Sequence, residues 1–422
     1  MSMEEGRMTE IGEMPEEWKV VTLEEAVEIN GASRDPTREN PDEKILYIDI
    51  ESVEGGTGII KTAKEILGKE APSRARRVVH QNDIIMSTVR PYLKAFALVP
   101  RDYNNQICST GFAVLSCKNE IFPRYLLYIL FSKEVIEQCN KMMMGGQYPA
   151  LNQSQVAKIE IPLPPLPEQR RIAEILGTVD SAIQNVGGAI ESTERLKKGL
   201  MQRLLTRGIG HERFKFSKEL DSEIPEEWKV AELSEIGEVT TGKTPSTFND
   251  TYWNGEVPFI TPVDIQDSKY VYRTERYVTP AGTNQVQRIL PKNAVLVVCI
   301  GSTIGKTAIT HVESITNQQI NSIICATEVA DPNYVYYAIS FKNELLKSYS
   351  GVAAVPIIKK SLFEQFKLPL PPLPEQRRIA EILSAVDRKL ELERRRKEKL
   401  SRVKKGLMNE LLTGRKRVKL AE

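Results

Sequence analysis

The chain repeats itself at long range. The run LPPLPEQRRIAEIL from Leu163 to Leu176 recurs letter for letter from Leu370 to Leu383, an offset of 207 residues. Lys197-Lys198-Gly199-Leu200-Met201 returns as Lys404-Lys405-Gly406-Leu407-Met408 at the same offset. Pro15-Glu16-Glu17-Trp18-Lys19-Val20 returns as Pro225-Glu226-Glu227-Trp228-Lys229-Val230, 210 residues on. Matches of that length exclude chance. A period of this size is far above the roughly 20 to 50 residues of solenoid units, so the chain must hold a duplicated pair, ordered globular module, helix, globular module, helix. Between the matched ends the halves diverge while their punctuation stays in step: Asn82-Asp83 parallels Lys292-Asn293, and Asn105-Gln106 parallels Asn317-Gln318. β-rich runs such as Asp83 to Ser87, Phe112 to Leu115 and Ala294 to Val298, bounded by Gly, Pro and Asn, read as strands. One helix per half is expected, near Arg124 to Asn140 and near Asn333 to Lys347. The fold class is therefore mixed α/β (α+β).

Composition limits the function classes. With 422 residues, 41% hydrophobic and 27% charged, the chain is long enough for two or more cored domains. Fifty-eight Lys and Arg against 56 Asp and Glu leave a net charge of +2, so affinity for a polyanion must come from local patches. Five scattered cysteines (Cys108, Cys117, Cys139, Cys299, Cys325), without a C-x-x-C pair, and three histidines argue against a disulfide framework or zinc site. The acidic N-terminus lacks the apolar core of a signal peptide, and no apolar run reaches about 18 residues, so a soluble, cytoplasmic protein with no membrane partner is expected.

The prolines at Pro162, Pro164, Pro165 and Pro167 enforce extended backbone. A helix is expected directly after them, with Pro167 near its first position and Glu168 in its first turn. Ile172, Leu176, Val179, Ile183, Val186 and Ile190 recur at the 3.5 period of a coiled-coil seam, and Leu196, Leu200 and Leu204 continue the stripe. The second copy carries Ile379, Leu383, Val386 and Leu390, then polar Glu393 and Lys397, then Leu400, Val403, Leu407 and Leu411. A helix from Glu168 to Thr206 would be about 58 Å long at roughly 1.5 Å per residue. Alone it would be poorly stable. Each helix could pack only on its own module, but two matched seams favour mutual pairing. The short linker makes an antiparallel pair the economical arrangement, with the modules at opposite ends of a rod related by a pseudo-twofold.

No catalytic motif survives inspection. Gly301-Ser302-Thr303-Ile304-Gly305-Lys306-Thr307 is one residue short of a phosphate loop, because Ile300 stands where that motif needs glycine. A glycine-rich turn between strands, or a loop whose amides touch DNA phosphate, are the other readings. Gly242-Lys243-Thr244 lacks the strand-to-helix setting. Basic and hydroxyl residues cluster in the divergent regions: Arg74, Arg76, Arg77 and His80, then Arg90 and Lys94, in module one; Lys243, Thr244, Ser302, Thr303, Lys306, Lys359 and Lys360 in module two. Lys and Arg position phosphates, and Arg reads guanine through a bidentate fork. Singly, a residue of this kind is more often an ordinary solvated side chain. Gly145-Gly146-Gln147-Tyr148 offers close-approach glycines, an amide for adenine and a stacking aromatic, or a plain loop. The basic C-terminus, Arg394 to Arg417, is interleaved with glutamates and reads mostly as a solvated helix face.

Two divergent modules, each followed by the Pro-Pro-x-Pro-Glu-Gln-x-x-Ile motif (Pro164 to Ile172 and Pro371 to Ile379) and a long seam helix, resemble the specificity subunit of type I restriction-modification enzymes. Trp18 and Trp228 fit its Pro-x-x-Trp module start, and Gly242-Lys243-Thr244-Pro245-Ser246 looks like its G-x-T-P-S element. Module one departs there, with Gly31-Ala32-Ser33-Arg34. The resemblance spans essentially the whole chain. It implies target recognition domains at 1–160 and 213–367, and conserved spacer helices at 161–212 and 368–422 that form an antiparallel coiled coil. It further implies double-stranded DNA, two methyltransferase subunits and restriction subunits as partners, with S-adenosylmethionine, ATP and Mg held by those partners and no cofactor on this chain. The role implied is noncatalytic: each domain reads one half of a bipartite asymmetric site, while the spacer sets the gap and docks the methyltransferases. An NTPase, and a coiled-coil protein adaptor without DNA readout, are the competing readings.

Overall fold

The computed structural model describes residues 6–9, 12–143, 149–266, 268–286, 288–351 and 355–419. The chain forms two compact units. One holds residues 1–185 together with 398–422; the other holds 186–397.

In the first unit, the continuous apolar runs of Ile84–Ser87 and Phe112–Cys117, buried on both faces, are the central strands of a four-stranded sheet ordered Phe96–Leu98, Ile84–Ser87, Phe112–Cys117, Val27–Ile29. A second four-stranded sheet runs Lys64–Leu67, Lys44–Ile48, Gln106–Ser109, Ala75–Val79. The core joins the first sheet to the helix Pro123–Leu130 through Phe96, Leu115, Tyr125 and Leu126. In the second unit, a five-stranded sheet runs Gly237–Thr241, Ile320–Cys325, Val295–Val298, Thr307–Thr310, Tyr270–Val271. A three-stranded sheet accompanies it, and the helix Pro332–Phe341 packs on its core through Tyr334, Val335 and Tyr337.

The duplication is visible at the base of each module. The strand just after each repeated tryptophan pairs antiparallel with the strand that runs into the proline motif: Lys19 faces Leu163 in one unit, and Lys229 faces Leu370 in the other. The helix expected over Arg124 to Asn140 is two helices, Pro123–Leu130 and Lys133–Met142, because Ser132 caps a new start by accepting from the Val135 amide. The helix expected over Asn333 to Lys347 likewise divides, into Pro332–Phe341 and Asn343–Ser348. The long helices span Leu166–Arg207 and Leu373–Leu411, each beginning slightly before the expected start because the motif's leucine and proline already sit in the first turn. Among the described residues no helix is long and apolar enough to cross a membrane.

Candidate nucleic-acid interface

Strand directions in the second unit collect three loops at one end of the five-stranded sheet. Thr241 faces Asn321, Val298 faces Ile320, and Val297 faces Thr307. The loops leaving Thr241, entering Ile320 and joining Val298 to Thr307 must therefore share that end. They carry Lys243 and Thr244, Asn317 to Gln319, and Ser302, Thr303 and Lys306. The Gly301 amide donates to the Pro356 carbonyl (3.0 Å) and the Ile358 amide to the Cys299 carbonyl (2.8 Å), which draws in the segment leading to Lys359 and Lys360. The structure thus brings together all seven residues singled out in module two. Lys243, Ser302, Lys359 and Lys360 are exposed. The Thr244 hydroxyl donates to Gln318 Oε1 (2.7 Å), the Lys306 ammonium to the Ile265 carbonyl (3.2 Å), and Lys360 lies 3.5 Å from Glu364. The 299–306 segment joins antiparallel strands, with Gly301 and Gly305 left-handed (φ 97° and 87°). That is a hairpin turn, whereas a phosphate loop leads from a strand into a helix.

In the first unit the loops leaving Ile29, entering Phe112 and joining Ser87 to Phe96 occupy the equivalent end. Arg90 and Lys94 lie here, flanking the short turn Pro91–Leu93, both with left-handed backbones (φ 47° and 56°). The Lys94 ammonium donates to the Phe131 carbonyl (2.9 Å), and burial lowers its pKa, with the Lys405 charge adding to the effect. Arg74, Arg76 and Arg77 belong to the other sheet and its approach. Arg76 donates to the Ala75 carbonyl (2.8 Å) and pairs with Asp35 (3.3 Å). Arg77 donates to the Phe112 carbonyl, and burial holds its pKa below the usual value. Arg74 is exposed, as is His80. Gln147 and Tyr148 lie outside the described residues.

The two Asn-Gln pairs are not equivalent. Gln106 opens the strand Gln106–Ser109 and accepts from the Leu46 amide (2.8 Å), whereas Asn317 follows the strand Ile315–Thr316 and donates to Gln319 Oε1 (2.9 Å). Their similar position in sequence is therefore not the same place in the fold.

The helix ends hold a repeated set of contacts that residue-type reasoning missed. In the first unit, Trp18 Nε1 donates to Glu168 Oε2 (3.1 Å), and Arg417 grips the same carboxylate (2.8 Å), a bond that raises the guanidinium pKa. In the second, Trp228 Nε1 donates to Glu375 Oε2 (3.0 Å), and His211 stands beside it (2.9 Å). Gln169 and Gln376 each accept one backbone amide, of Phe122 and Asp331, and donate to nearby carbonyls. The Glu-Gln of the repeated motif is thus a clamp between module and helix. Gly208 and Gly414, left-handed after the two helices, leave no room for a Cβ, which would stand 2.7 Å from Trp228 Cζ2 and 2.4 Å from Pro15 Cδ respectively.

About three turns further on, the Tyr128 hydroxyl donates to Asp180 Oδ2 (2.7 Å), and Lys404 pairs with Asp180 Oδ1 (2.6 Å). Tyr337 donates to Asp387 Oδ2 (2.6 Å), and Lys197 pairs with Asp387 Oδ1 (2.7 Å). Burial and the aspartate raise both tyrosine pKa values. Each unit therefore contains an antiparallel contact between stretches of the two long helices. The signal was available, since aspartates and lysines both recur at the 207-residue offset.

The apolar seam does two tasks. Ile172 and Leu176 join Leu411 and Leu412 in the first unit's core; Leu204 and Leu205 join Ile379 and Leu383 in the second's. Val186 and Leu390 are buried, while Val179, Ile183, Ile190 and Val386 are half-buried. Leu196 and Val403, expected in the stripe, are exposed (52% and 45%). At 3.6 residues per turn the face drifts, and the following lysines, Lys197 and Lys404, turn inward to meet the aspartates. All five cysteines are unpaired, and burial pushes their thiols up to about 12, so they are inert. Among the described residues no cluster of three potential metal ligands occurs.

Comparison with known proteins identifies this arrangement. The family described as type I restriction modification DNA specificity domain matches residues 15–194 and again 225–402. A putative type I restriction enzyme specificity subunit, MjaX, of Methanocaldococcus jannaschii is 29% identical, covering 98% of this chain and 97% of its own. The MjaVIII specificity subunit of the same organism is 28% identical over 96% and 94%. A chain from a structural study of complex assembly and conformational transition of the type I R-M system superposes with a TM-score of 0.56 at 27% identity, covering 95% of this chain and 99% of that one.

Proposed function

Because this chain belongs to the family of type I restriction-modification DNA specificity domains, we propose that its two modules each read one half of a split, asymmetric DNA sequence. The role is that of the noncatalytic DNA specificity subunit of a restriction-modification complex. In this reading residues 1–160 and 213–367 are the reading domains, and 161–212 and 368–422 are the spacer that sets the gap and docks two methyltransferase subunits. Those subunits supply S-adenosylmethionine and adenine modification, and flip the target base out of the stack. Restriction subunits supply ATP-driven cleavage.

The observation that carries the reading is a matched framework presenting unmatched loops. The tryptophan, glutamate, glutamine, tyrosine and aspartate contacts repeat from unit to unit, yet the equivalent sheet ends carry different residues. Lys243, Thr244, Ser302, Thr303, Lys306, Lys359 and Lys360 gather at that end in the second module, and Arg90 with Lys94 in the first. Side chains there reach phosphates and base edges, while Arg76 and Arg77 serve as internal ties. An adaptor that bound only protein would not need one framework to carry two different loop sets.

Co-expression with its methyltransferase subunit, followed by single-molecule mapping of adenine methylation on random-sequence DNA, tests this. A split motif with a fixed gap is expected. An intact complex that neither methylates nor footprints DNA would favour the adaptor.

A further inference from the structure

Phe248 is 100% exposed, whereas the other exposed large apolar side chains of the described residues range from 37% to 67%. It stands on a braced loop. Pro245 before it is buried, the Thr244 hydroxyl is tied to Gln318 Oε1 (2.7 Å), and Trp253 Nε1 donates to the Ser246 carbonyl (3.0 Å). Just beyond it, Asn249 Oδ1 accepts from the Thr251 amide (3.1 Å) and hydroxyl (2.7 Å). Gly242 packs so closely that a Cβ would lie 2.2 Å from the Asn317 carbonyl oxygen. The Arg276 guanidinium carbon lies over Trp253, 3.5 Å from the ring centroid. So the loop is held from both sides while its aromatic tip touches nothing.

The surroundings decide what would cover such a tip. A protein-docking surface is built on a contiguous apolar patch. Here Ser246, Thr247 and Asn249 flank the ring, and the loops gathered at this sheet end (242–250, 299–306, 317–319, 355–360) carry four lysines, Lys243, Lys306, Lys359 and Lys360, against one acid, Asp250; the other exposed large apolar side chains among them are two aliphatic ones on a different segment, Val355 (56%) and Ile357 (47%). A lone aromatic among hydroxyl, amide and cationic groups matches a nucleic acid, whose phosphates meet the cations and whose bases offer a π-face to the ring. Apolar side chains also enter between base steps of a duplex and part them. We infer that Phe248 is a base-stacking wedge of the second module, entering the duplex at or beside its half-site. The inference rests on the reading of the chain as a DNA specificity subunit.

The test uses the full chain assembled with its methyltransferase subunits and a duplex carrying the split motif mapped by methylation. Phe248→Ala should weaken site binding about tenfold to a hundredfold, the effect of removing one stacking aromatic, without changing the salt dependence, since no charge is lost. 2-Aminopurine placed along the second half-site should brighten at one step other than the flipped adenine with the unaltered chain, stay dim at that step with Phe248→Ala, and brighten there again with Phe248→Tyr. Because the ring touches nothing, the variant should fold normally. If the unaltered complex binds the duplex and Phe248→Ala binds equally well with the same fluorescence, the wedge is refuted and DNA reading stands. If no split duplex is bound at all, DNA reading itself fails and the wedge with it. If Phe248→Ala sheds the methyltransferase subunit without DNA present, the residue is a protein contact and the inference is overturned.

Discussion

Lys269 shows how one residue's neighbours set its charge. Its ammonium donates to Asn333 Oδ1 (3.0 Å) and Ser384 Oγ (2.8 Å), and lies 5.2 Å from the Tyr337 ring centroid. Burial lowers its pKa to about 8, against partial opposition from Asp387 and Asp331. In the unfolded chain the amine keeps its proton to about 10.4. Between these values the unfolded state binds more protons, so stability rises with pH through that window; below about 8 both states are protonated and the dependence vanishes. The denaturant midpoint of the unaltered chain, compared with that of Lys269→Met, should therefore climb from pH 8 to 10 and stay level below 8. A difference that shrinks with rising pH would mean that its partners hold the charge in place. Nothing in the sequence around 269 announces this burial, because Asn333 and Ser384 lie far along the chain. The same reason limited the reading of the basic residues. Type alone made Arg76 and Arg77 phosphate candidates, but their contacts are with Asp35 and the Phe112 carbonyl, distant in sequence.

Elements were more legible than residues, since period and punctuation are local properties. The proline runs located both long helices to within a few residues, and the 3.5 period found the buried Ile172, Leu176, Ile379 and Leu383. What periodicity could not show is that charges complete the seam. Asp180 and Lys404, and Asp387 and Lys197, lie within a quarter or so of full burial, with side-chain exposures of 23% and 14%, and 20% and 27%. Removing Asp180 takes the acceptor from both the Tyr128 hydroxyl and Lys404; removing Asp387 takes it from Lys197 and leaves the Tyr337 hydroxyl only Ser384 Oγ (3.2 Å). Asp180→Ala should cost about 1–3 kcal/mol, and a cycle with Lys404→Ala should show coupling of roughly 1 kcal/mol. Asp387→Ala and Lys197→Ala should behave alike in the other unit. Denaturant unfolding of the four single and two double variants measures this, and additive costs would show that the ion pairs contribute nothing. Leu383 is a poorer probe of helix pairing, because it also belongs to the second module's core, so its loss would loosen that module as well.

For the whole molecule, the proposal that the spacer sets the gap between half-sites predicts that the gap follows helix length. Seven helical residues add about 10 Å at roughly 1.5 Å each, and DNA rises about 3.4 Å per base pair. One heptad inserted after Asn185 in the first helix and one after Lys397 in the second keep the seam in phase, since each preserves the repeat of seven. Both aspartate–lysine pairs can then form as before. Methylation mapping should return the same two half-site sequences with the gap longer by about three base pairs. A heptad placed in the first helix alone leaves Asp180 with Lys404, or Asp387 with Lys197, out of register by two turns. That chain should lose recognition of the split site while each module still folds around its own tryptophan. A gap unchanged by the paired insertion would show that the modules' spacing on DNA is fixed by the methyltransferase partners, and that the helices only hold each module to its base.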